Sequence, residues 1–300
     1  MSFKTIWTLT KTAVSSWIDD YAPSMGAALA YYTLFSIAPL LLIVIAVAGA
    51  IFGAEAARGE IFEQLRGLMG AQGATAVEGL LESVRKPGQG LLATVIGLVT
   101  LFIGATSVFG ELQSSLDRIW RVPAQDTPGG VWGLVRKRLL AFGMILGIGF
   151  LLMVSLVASA ALAALGRWWA PMFGNWALLA NAINVGLSFV LVMLVFAMIY
   201  KIMPSVRVQW RDVWVGAAVT ALLFTLGKQL IGIYLGTSAV ASGFGAAASL
   251  VVLLVWVYYS AQIFLMGAEF TWVYAHTYGS LKGRREAPRA AIPTRSGAAV

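Results

Sequence analysis

Residues 27–52 read AALAYYTLFSIAPLLLIVIAVAGAIF and contain no charged side chain. The hydrocarbon core of a bilayer is about 30 Å thick, and an α-helix crosses it with about 20 apolar residues at about 1.5 Å each. This stretch is therefore long enough to cross a membrane as one helix. It is longer than the apolar part of a signal peptide and lacks a convincing cleavage context, so we expect it to remain in the mature protein.

The rest of the chain has the same membrane-protein character. Of its 300 residues 59% are hydrophobic and 11% are charged, whereas about 25% of the residues of a soluble protein are charged. Five further apolar stretches of similar length follow the first, and the alternation of β-barrel strands is not seen. We predict an all-α, polytopic membrane protein with six transmembrane helices, covering residues 27–52, 91–110, 139–165, 177–200, 213–235 and 244–270.

The basic residues predict how these helices are oriented. The net charge is +8, and there are 21 Lys and Arg residues. Fifteen of them lie on the side of the membrane that holds both termini, five lie on the other side, and Lys228 falls inside a span. Because positively charged segments stay in the cytoplasm, we expect a bacterial inner-membrane protein with both termini cytoplasmic. Membrane lipids are the expected partners. We expect no nucleic-acid partner, because nothing besides the positive net charge suggests one.

The segments outside the spans divide the chain into three parts. Residues 1–24 are predicted to form an amphipathic helix lying on the bilayer, residues 25–280 the transmembrane domain, and residues 281–300 a basic, disordered cytoplasmic tail. Between spans 1 and 2, apolar helical faces on either side of Gly70 and Gly73 predict an exterior helical hairpin. The segment 236–245 is either a tight turn or a partly re-entrant segment.

Several ordered motifs resemble the YihY/BrkB family of bacterial inner-membrane proteins. The first is AALAYYTLFSIAPL at residues 27–40, and the second is LDRIW at residues 116–120. Later stretches look like the later motifs of the family, in the same order: the loop 204–210, GA at 216–217 with LGK at 226–228, and the segment 254–259 followed by GAEF at 267–270. The resemblance covers residues from about 17 to 274.

This resemblance implies six helices and an inner-membrane location, which the spans and charges predict independently. It implies no single function, because members of the family have carried the label ribonuclease BN, others are described as virulence or serum-resistance factors, and some are linked to lipid or lipopolysaccharide precursors.

Lys228 is the most informative polar residue within a span. A charge at the bilayer centre costs at least a few kcal/mol. One interpretation is that its stem extends to the outer surface and needs no partner. The other is that its ammonium group faces a cavity and holds a phosphate or carboxylate. We favour the second, because Thr225 and Gly232 share its helical face and suggest inward packing.

Weaker polar residues fall at helical spacings on four spans, and together they favour a central polar cleft. The candidate substrate-binding residues are Lys228, Gln262, Asn184, Tyr32 and Tyr258. The charges near the cytoplasmic ends are candidates for an inner gate, namely Glu111, Glu269, Arg118 and Arg211. Pro39 removes a backbone hydrogen bond in the middle of span 1 and should kink that helix.

The sequence predicts a non-enzymatic protein. It has one His and no Cys, and it lacks nucleotide-binding and metalloprotease motifs, so we expect no metal, no cofactor and no ribonuclease activity. The leading hypothesis is a transporter or flippase of an amphipathic anionic substrate, such as a phospholipid or lipopolysaccharide precursor. Lys228 and the inner Arg cluster would contact its head group. The alternatives are a small-solute exporter or channel and a non-transporting envelope scaffold.

Overall fold

The computed structural model describes residues 3–84, 91–123, 133, 139–151, 154, 176–237 and 248–283. This part of the chain contains helices and no β-strand, which confirms the predicted all-α class. The helices are α1 (Phe3–Asp19), α2 (Ala22–Phe52), α3 (Ala54–Val84), α4 (Leu91–Ile119), α5 (Leu139–Leu151), α6 (Trp176–Ile202), α7 (Trp210–Thr237) and α8 (Ala248–Thr277).

Within the described residues, four helices are long and apolar enough to cross a bilayer. They are Ala22–Ala50, Ala182–Ile202, Trp210–Leu235 and Leu250–Thr277, which correspond to the first, fourth, fifth and sixth predicted spans. The second predicted span falls in α4 and the third begins in α5. The total of six spans stays a prediction. The segment 236–245 and the tail 281–300 lie mostly outside the described residues, so the predictions made for them also stay predictions.

Contacts between helix termini show that α4, α6 and α8 end, and α7 begins, at the same end of the bundle. Asp117, near the end of α4, bonds Ser205, which follows α6. Asp212, at the start of α7, bonds Ser280, which follows α8. Both contacts lie at one end of the bundle, which we call the basic end because it carries Lys201, Arg207 and Arg211 as well. The opposite end, where α2 passes into α3, is the hairpin end.

Helix α8 is the central helix of the bundle. It contacts α1, α2, α3, α4 and α7, while α6 contacts α7. Leu265 and Ala268 on α8 are fully buried in the main apolar core. The short helix α5 reaches both sides of the bundle, because a Cβ at Gly147 would lie 3.0 Å from Met198 Sδ of α6, and one at Gly149 would lie 3.9 Å from Val44 of α2.

Helix α1 packs on α8 through its narrow face. Leu9, Ala13 and Ser16 are buried there. Trp7 and Ile18 are exposed on another face and can contact lipid there, whereas Trp17 packs against the main apolar core. The position of α1 on the bilayer surface stays a prediction.

Helix α3 is folded back on itself at Gly70, whose φ of 76° and ψ of 173° are not helical. The Arg58 guanidinium reaches the Glu78 and Glu82 carboxylates at 3.7 Å each. A straight helix would separate Arg58 and Glu78 by about 30 Å, so the arms 54–69 and 71–84 must be antiparallel. Their apolar faces pack against α2 and the first half of α8, and Val77 is fully buried.

Helices α7 and α8 interlock through glycines in the half of the bundle nearer the basic end. A Cβ at Gly216 would lie 1.7 Å from Thr271 Oγ1, and a Cβ at Gly267 would lie 1.9 Å from Thr220 Oγ1. Each glycine thus receives the hydroxyl of the facing helix. This is the small-residue packing that draws transmembrane helices together.

Helix α2 continues through Pro39, and the kink expected there stays a prediction. Because proline has no N–H, the Phe35 carbonyl loses its usual helical partner. Gly104 of α4 packs at this point, since a Cβ on it would lie 3.1 Å from Pro39 Cγ and 3.4 Å from the Phe35 oxygen.

Candidate functional site

A cavity of about 550 Å³, partly open to the outside, lies between the helices of the bundle, and residues from each of helices α2 to α8 line it. Its wall is mostly apolar, with aromatic contributions from Phe196, Phe224 and Trp256. The volume is within the range of about 300–1,000 Å³ that is typical of ligand pockets. We call this space the central cavity.

Lys228 lines the central cavity and is the one charged residue among its lining residues. The lining residues with a hydroxyl or amide side chain are Thr33, Gln64, Ser188 and Ser260. An ammonium group in such surroundings attracts an anionic group strongly, because the apolar wall screens the charge less than water does. The arrangement suits a ligand with one anionic part and a larger apolar part.

The hairpin end of the central cavity is covered by α3. Gln64 and Gly67, both on its first arm, belong to the lining. The arm is held by the apolar contacts of Ile61 and Phe62 with the bundle. The hairpin therefore forms part of the cavity wall as well as an exterior surface.

The other candidate substrate-binding residues are placed outside this lining. Tyr32, Asn184 and Tyr258 are exposed on the surface of the bundle. Gln262 packs against α2, where its Nε2 occupies the space beside Gly26 that a Cβ would fill. Thr33, Ser188 and Ser260 lie next to these positions on the same helices and line the cavity instead.

The candidate gate residues lie at several places at the basic end. Arg118 lies over the ring of Tyr21, with its Cζ 5.6 Å from the ring centroid. Glu269 is fully buried on α8, and Glu111 is half-buried on α4. Arg211 lies in the first turn of α7 and lines a surface pocket. The structure thus distributes the four charges over three helices.

Two carboxylates tie chain segments together at the basic end. Asp117 accepts hydrogen bonds from the Ser205 backbone N–H and Oγ, both at 2.7 Å. Gln113 Nε2 donates to Ser205 Oγ at 3.3 Å. We call the Asp117–Ser205 contact the loop clamp, because it fastens the α6–α7 loop to the end of α4.

The second carboxylate fastens the turn that follows α8. Asp212 is fully buried and accepts hydrogen bonds from Ser280 Oγ at 2.5 Å and from the Ser280 backbone N–H at 3.2 Å. We call this contact the terminal clamp. Gly279 makes it fit, because a Cβ at that position would lie 2.3 Å from Asp212 Oδ1.

A buried tyrosine, Tyr200, joins helices α6, α7 and α8 near these clamps. The Tyr200 hydroxyl, on α6, donates to the Phe264 carbonyl of α8 at 2.7 Å and lies 3.0 Å from Thr220 Oγ1 of α7. Sequence reasoning singled out neither Tyr200 nor the two clamp carboxylates. Each of them stands near the end of an apolar stretch, where a polar residue is expected to be solvated, and their partners lie 20 to 88 residues away.

The described residues also bear on metal binding. Among them, no group of three or more His, Asp or Glu side chains is placed to hold a metal ion. His276 lies against Trp272, with ring centroids 4.3 Å apart.

The sequence profile of the family described as "Virulence factor BrkB" matches residues 13–291. The chain belongs to the BrkB family. The resemblance that the ordered motifs indicate is therefore confirmed, and this BrkB-family chain is a membrane protein like its relatives, which are named UPF0761 membrane proteins.

Three of these relatives show how far the similarity extends. The chain is 31% identical to a relative from Chromohalobacter salexigens over 251 residues, which are 81% of this chain and 57% of the relative. It is 28% identical to one from Pseudoalteromonas translucida, over 85% of this chain and 81% of the relative. For one from Acinetobacter baylyi the values are 25% identity, 84% and 58%.

The BrkB-family chain spans only about half the length of several curated relatives it matches. No solved structure matches it.

Proposed function

We propose that this BrkB-family protein moves an amphipathic anionic substrate, a phospholipid or a lipopolysaccharide precursor, through the central cavity. The observation that carries the proposal is Lys228 in the wall of a large, mostly apolar cavity. In this proposal the ammonium group binds the anionic head, and the apolar wall contacts the chains. The protein performs no chemistry on its substrate.

The position of Lys228 supports this role over the purely structural one. Lys228 lies 18 residues after the start of α7, which is about 27 Å along the helix axis, in the outer part of the bundle. A Lys with a purely structural role there would direct its ammonium group to the nearby membrane surface. Lys228 instead borders the cavity, where its charge can meet an anionic substrate.

The cavity also bears on the two alternatives. A scaffold that only docks partners needs a filled interior, and the open volume of about 550 Å³ argues against one. A small-solute channel needs a more polar wall than this one, which is mostly apolar. The lipid-like substrate fits both the charge and the apolar lining.

We also propose the orientation that the basic residues predict. The basic end faces the cytoplasm of a bacterial inner membrane, and the hairpin faces the exterior. The substrate then moves between the two leaflets along a path that passes Lys228 in the outer part of the bundle.

Reconstitution into liposomes tests the proposal. Vesicles of phosphatidylethanolamine and phosphatidylglycerol carry a trace of fluorescent phosphatidylglycerol, and dithionite added outside destroys the dye in the outer leaflet only. We expect wild-type protein to expose the inner-leaflet dye as well. Lys228→Ala should slow this exposure about tenfold or more, because a charged hydrogen-bond partner contributes about 1.5–3 kcal/mol.

The chain offers a matched control next to the tested residue. Gln229 is exposed on α7 and lies outside the cavity lining, so Gln229→Ala should behave like wild type. Lys228→Arg keeps the charge and should keep most of the activity. Wild-type vesicles that release an encapsulated small anion but move no lipid would favour a channel, and vesicles that do neither would favour a scaffold.

A further inference from the structure

A second pocket lies on the surface of the basic end, separate from the central cavity. Its volume is about 580 Å³, and it is formed by the α6–α7 loop, the first turn of α7 and the turn after α8. Lys201, Arg207 and Arg211 line it together with Gln209, Trp210 and Ser280. We call it the basic pocket. It lies at the start of α7, about 25 Å from Lys228 along the helix.

The walls of the basic pocket are held in place by contacts already described. The loop clamp fastens Ser205 to α4, and the terminal clamp fastens Ser280 to α7. The Lys201 ammonium donates to the Val208 carbonyl across the loop. A ligand that enters the pocket therefore meets backbone that is already ordered, which lowers the entropy cost of binding.

The charge inside the basic pocket is strongly positive. Among the described residues, no carboxylate forms a salt bridge with Lys201, Arg207 or Arg211 within 4.0 Å. Asp212 is the acidic residue behind the wall, and its carboxylate is engaged by Ser280. The N-terminal end of α7 adds a partial positive charge at the same place.

Two tryptophans show the depth of the basic pocket in the membrane. Trp210 lines the pocket, and its ring stacks on Trp214 with centroids 6.1 Å apart. Trp210 is 50% exposed and Trp214 is 38% exposed, and they lie one turn apart on the same exposed face of α7. Exposed tryptophans of transmembrane helices are enriched at the level of the lipid head groups. The pocket therefore lies where lipid phosphates lie.

We propose that the basic pocket binds the phosphate group of an anionic lipid in the leaflet at the basic end. A soluble phosphate ester shares this chemistry, but the tryptophan pair places the pocket at the lipid surface and favours the lipid. Arg207 and Arg211 hold the phosphate, and Lys201 and Gln209 complete the site. The proposal is independent of transport, because it concerns a lipid that stays bound at the surface.

Binding of a short-chain lipid to the purified full-length chain in nonionic detergent tests this proposal. Dioctanoyl phosphatidylglycerol is titrated into protein that carries Lys228→Ala in every variant, so that the cavity site is weakened throughout, and the bound lipid is counted by native mass spectrometry. Arg207 and Arg211 are exposed, so the double variant Arg207→Gln with Arg211→Gln should fold normally. We expect its affinity to fall about 30-fold, equivalent to about 1 kcal/mol for each lost charge. If the double variant does not fold, each single variant should lose about fivefold.

The matched control removes the same charge elsewhere. Lys4 and Lys11 are exposed on α1, outside the pocket, so Lys4→Gln with Lys11→Gln should change the affinity by less than about twofold. Zwitterionic dioctanoyl phosphatidylcholine should bind much more weakly than phosphatidylglycerol. Equal losses in the two double variants, or undiminished binding to the Arg207/Arg211 variant, would overturn the proposal. Glycerol 1-phosphate binding as tightly as the lipid would overturn the assignment to lipid.

Discussion

The half of the bundle near the basic end and the half around the central cavity are built in opposite ways. In the first, glycines of α7 and α8 receive the facing threonines, and Tyr200, Asp117 and Asp212 have close hydrogen-bond partners. In the second, seven helices surround open space beside Lys228. The same helices α6, α7 and α8 pass through both halves, so close packing in one can maintain the cavity in the other.

This difference indicates a division of labour along the helices. Small residues allow the backbones of α7 and α8 to approach where stability is needed. Beside the cavity the same two helices also present large aromatic residues, Phe224 and Trp256, with ring centroids 6.2 Å apart at an angle of 88°. The following predictions test this difference. Added side-chain volume should lower stability in the packed half and should block lipid movement in the half around the cavity.

The largest effect is expected from adding one methyl group in the packed half. Gly216→Ala brings a Cβ to 1.7 Å from Thr271 Oγ1, so the helices must separate. We expect the free energy of unfolding to fall by about 3 kcal/mol, at the upper end of overpacking effects. Titration with sodium dodecyl sulfate measures it. Gly186→Ala is the control, because a Cβ at Gly186 meets nothing within 4 Å and should leave the stability unchanged or slightly higher.

The terminal clamp should show the next largest effect. Asp212→Ala leaves the Ser280 N–H and hydroxyl without their acceptor, which should lower the free energy of unfolding by about 2 kcal/mol. The segment after α8 should also become more sensitive to protease. A double-mutant cycle with Ser280→Ala separates this contact from other effects of the substitution. Strictly additive losses would show that the two side chains do not interact.

A larger side chain in the central cavity should affect transport far more than stability. Ser260→Leu places its added atoms in the open space, so we expect the free energy of unfolding to change by less than about 1 kcal/mol. Lipid movement in the dithionite assay should be strongly reduced, because the path is blocked. A loss of stability similar to that of Gly216→Ala would contradict the contrast between the two halves.

The smallest effect is expected at the hairpin. Arg58→Ala removes two ion pairs of 3.7 Å whose acidic side chains are 46% and 67% exposed. Such pairs contribute little, so we expect a loss of about 0.5 kcal/mol, measured by the same titration. The apolar contacts of the hairpin with α2 and α8 should hold it in place. Separation of the two arms of α3 by this one substitution would show that the ion pairs, and not the apolar contacts, hold the hairpin closed.

The features read correctly from the sequence are those that depend on local patterns. The helical class and four of the spans follow from apolar runs of sufficient length, and the family follows from ordered motifs. The predicted hairpin turn coincides with Gly70, where φ is positive. Lys228 was singled out because a charge inside an apolar run is visible without a structure. The structure places it in the cavity lining, and its role in binding stays a prediction.

The neighbours of the candidate residues could not be read in the same way. A helical spacing shows which residues share a face, but it does not show what that face meets. Tyr32, Asn184 and Tyr258 are on polar stripes and lie on the outside, whereas Ser260 and Thr33 line the cavity. Which face points inward depends on how each helix is rotated against its neighbours.

The amino-acid sequence by itself determined that this is a helical membrane protein and which of its residues carry charge inside or beside the membrane. Those properties depend on the free energy of transferring each helical segment from water to lipid, and this free energy is almost independent of the other segments. The tertiary structure decided which helices meet, where glycines let them interlock and where space remains. Long-range contacts such as Asp117 with Ser205, 88 residues apart, arise only when the helices pack. They fasten the loop whose later residues line the basic pocket.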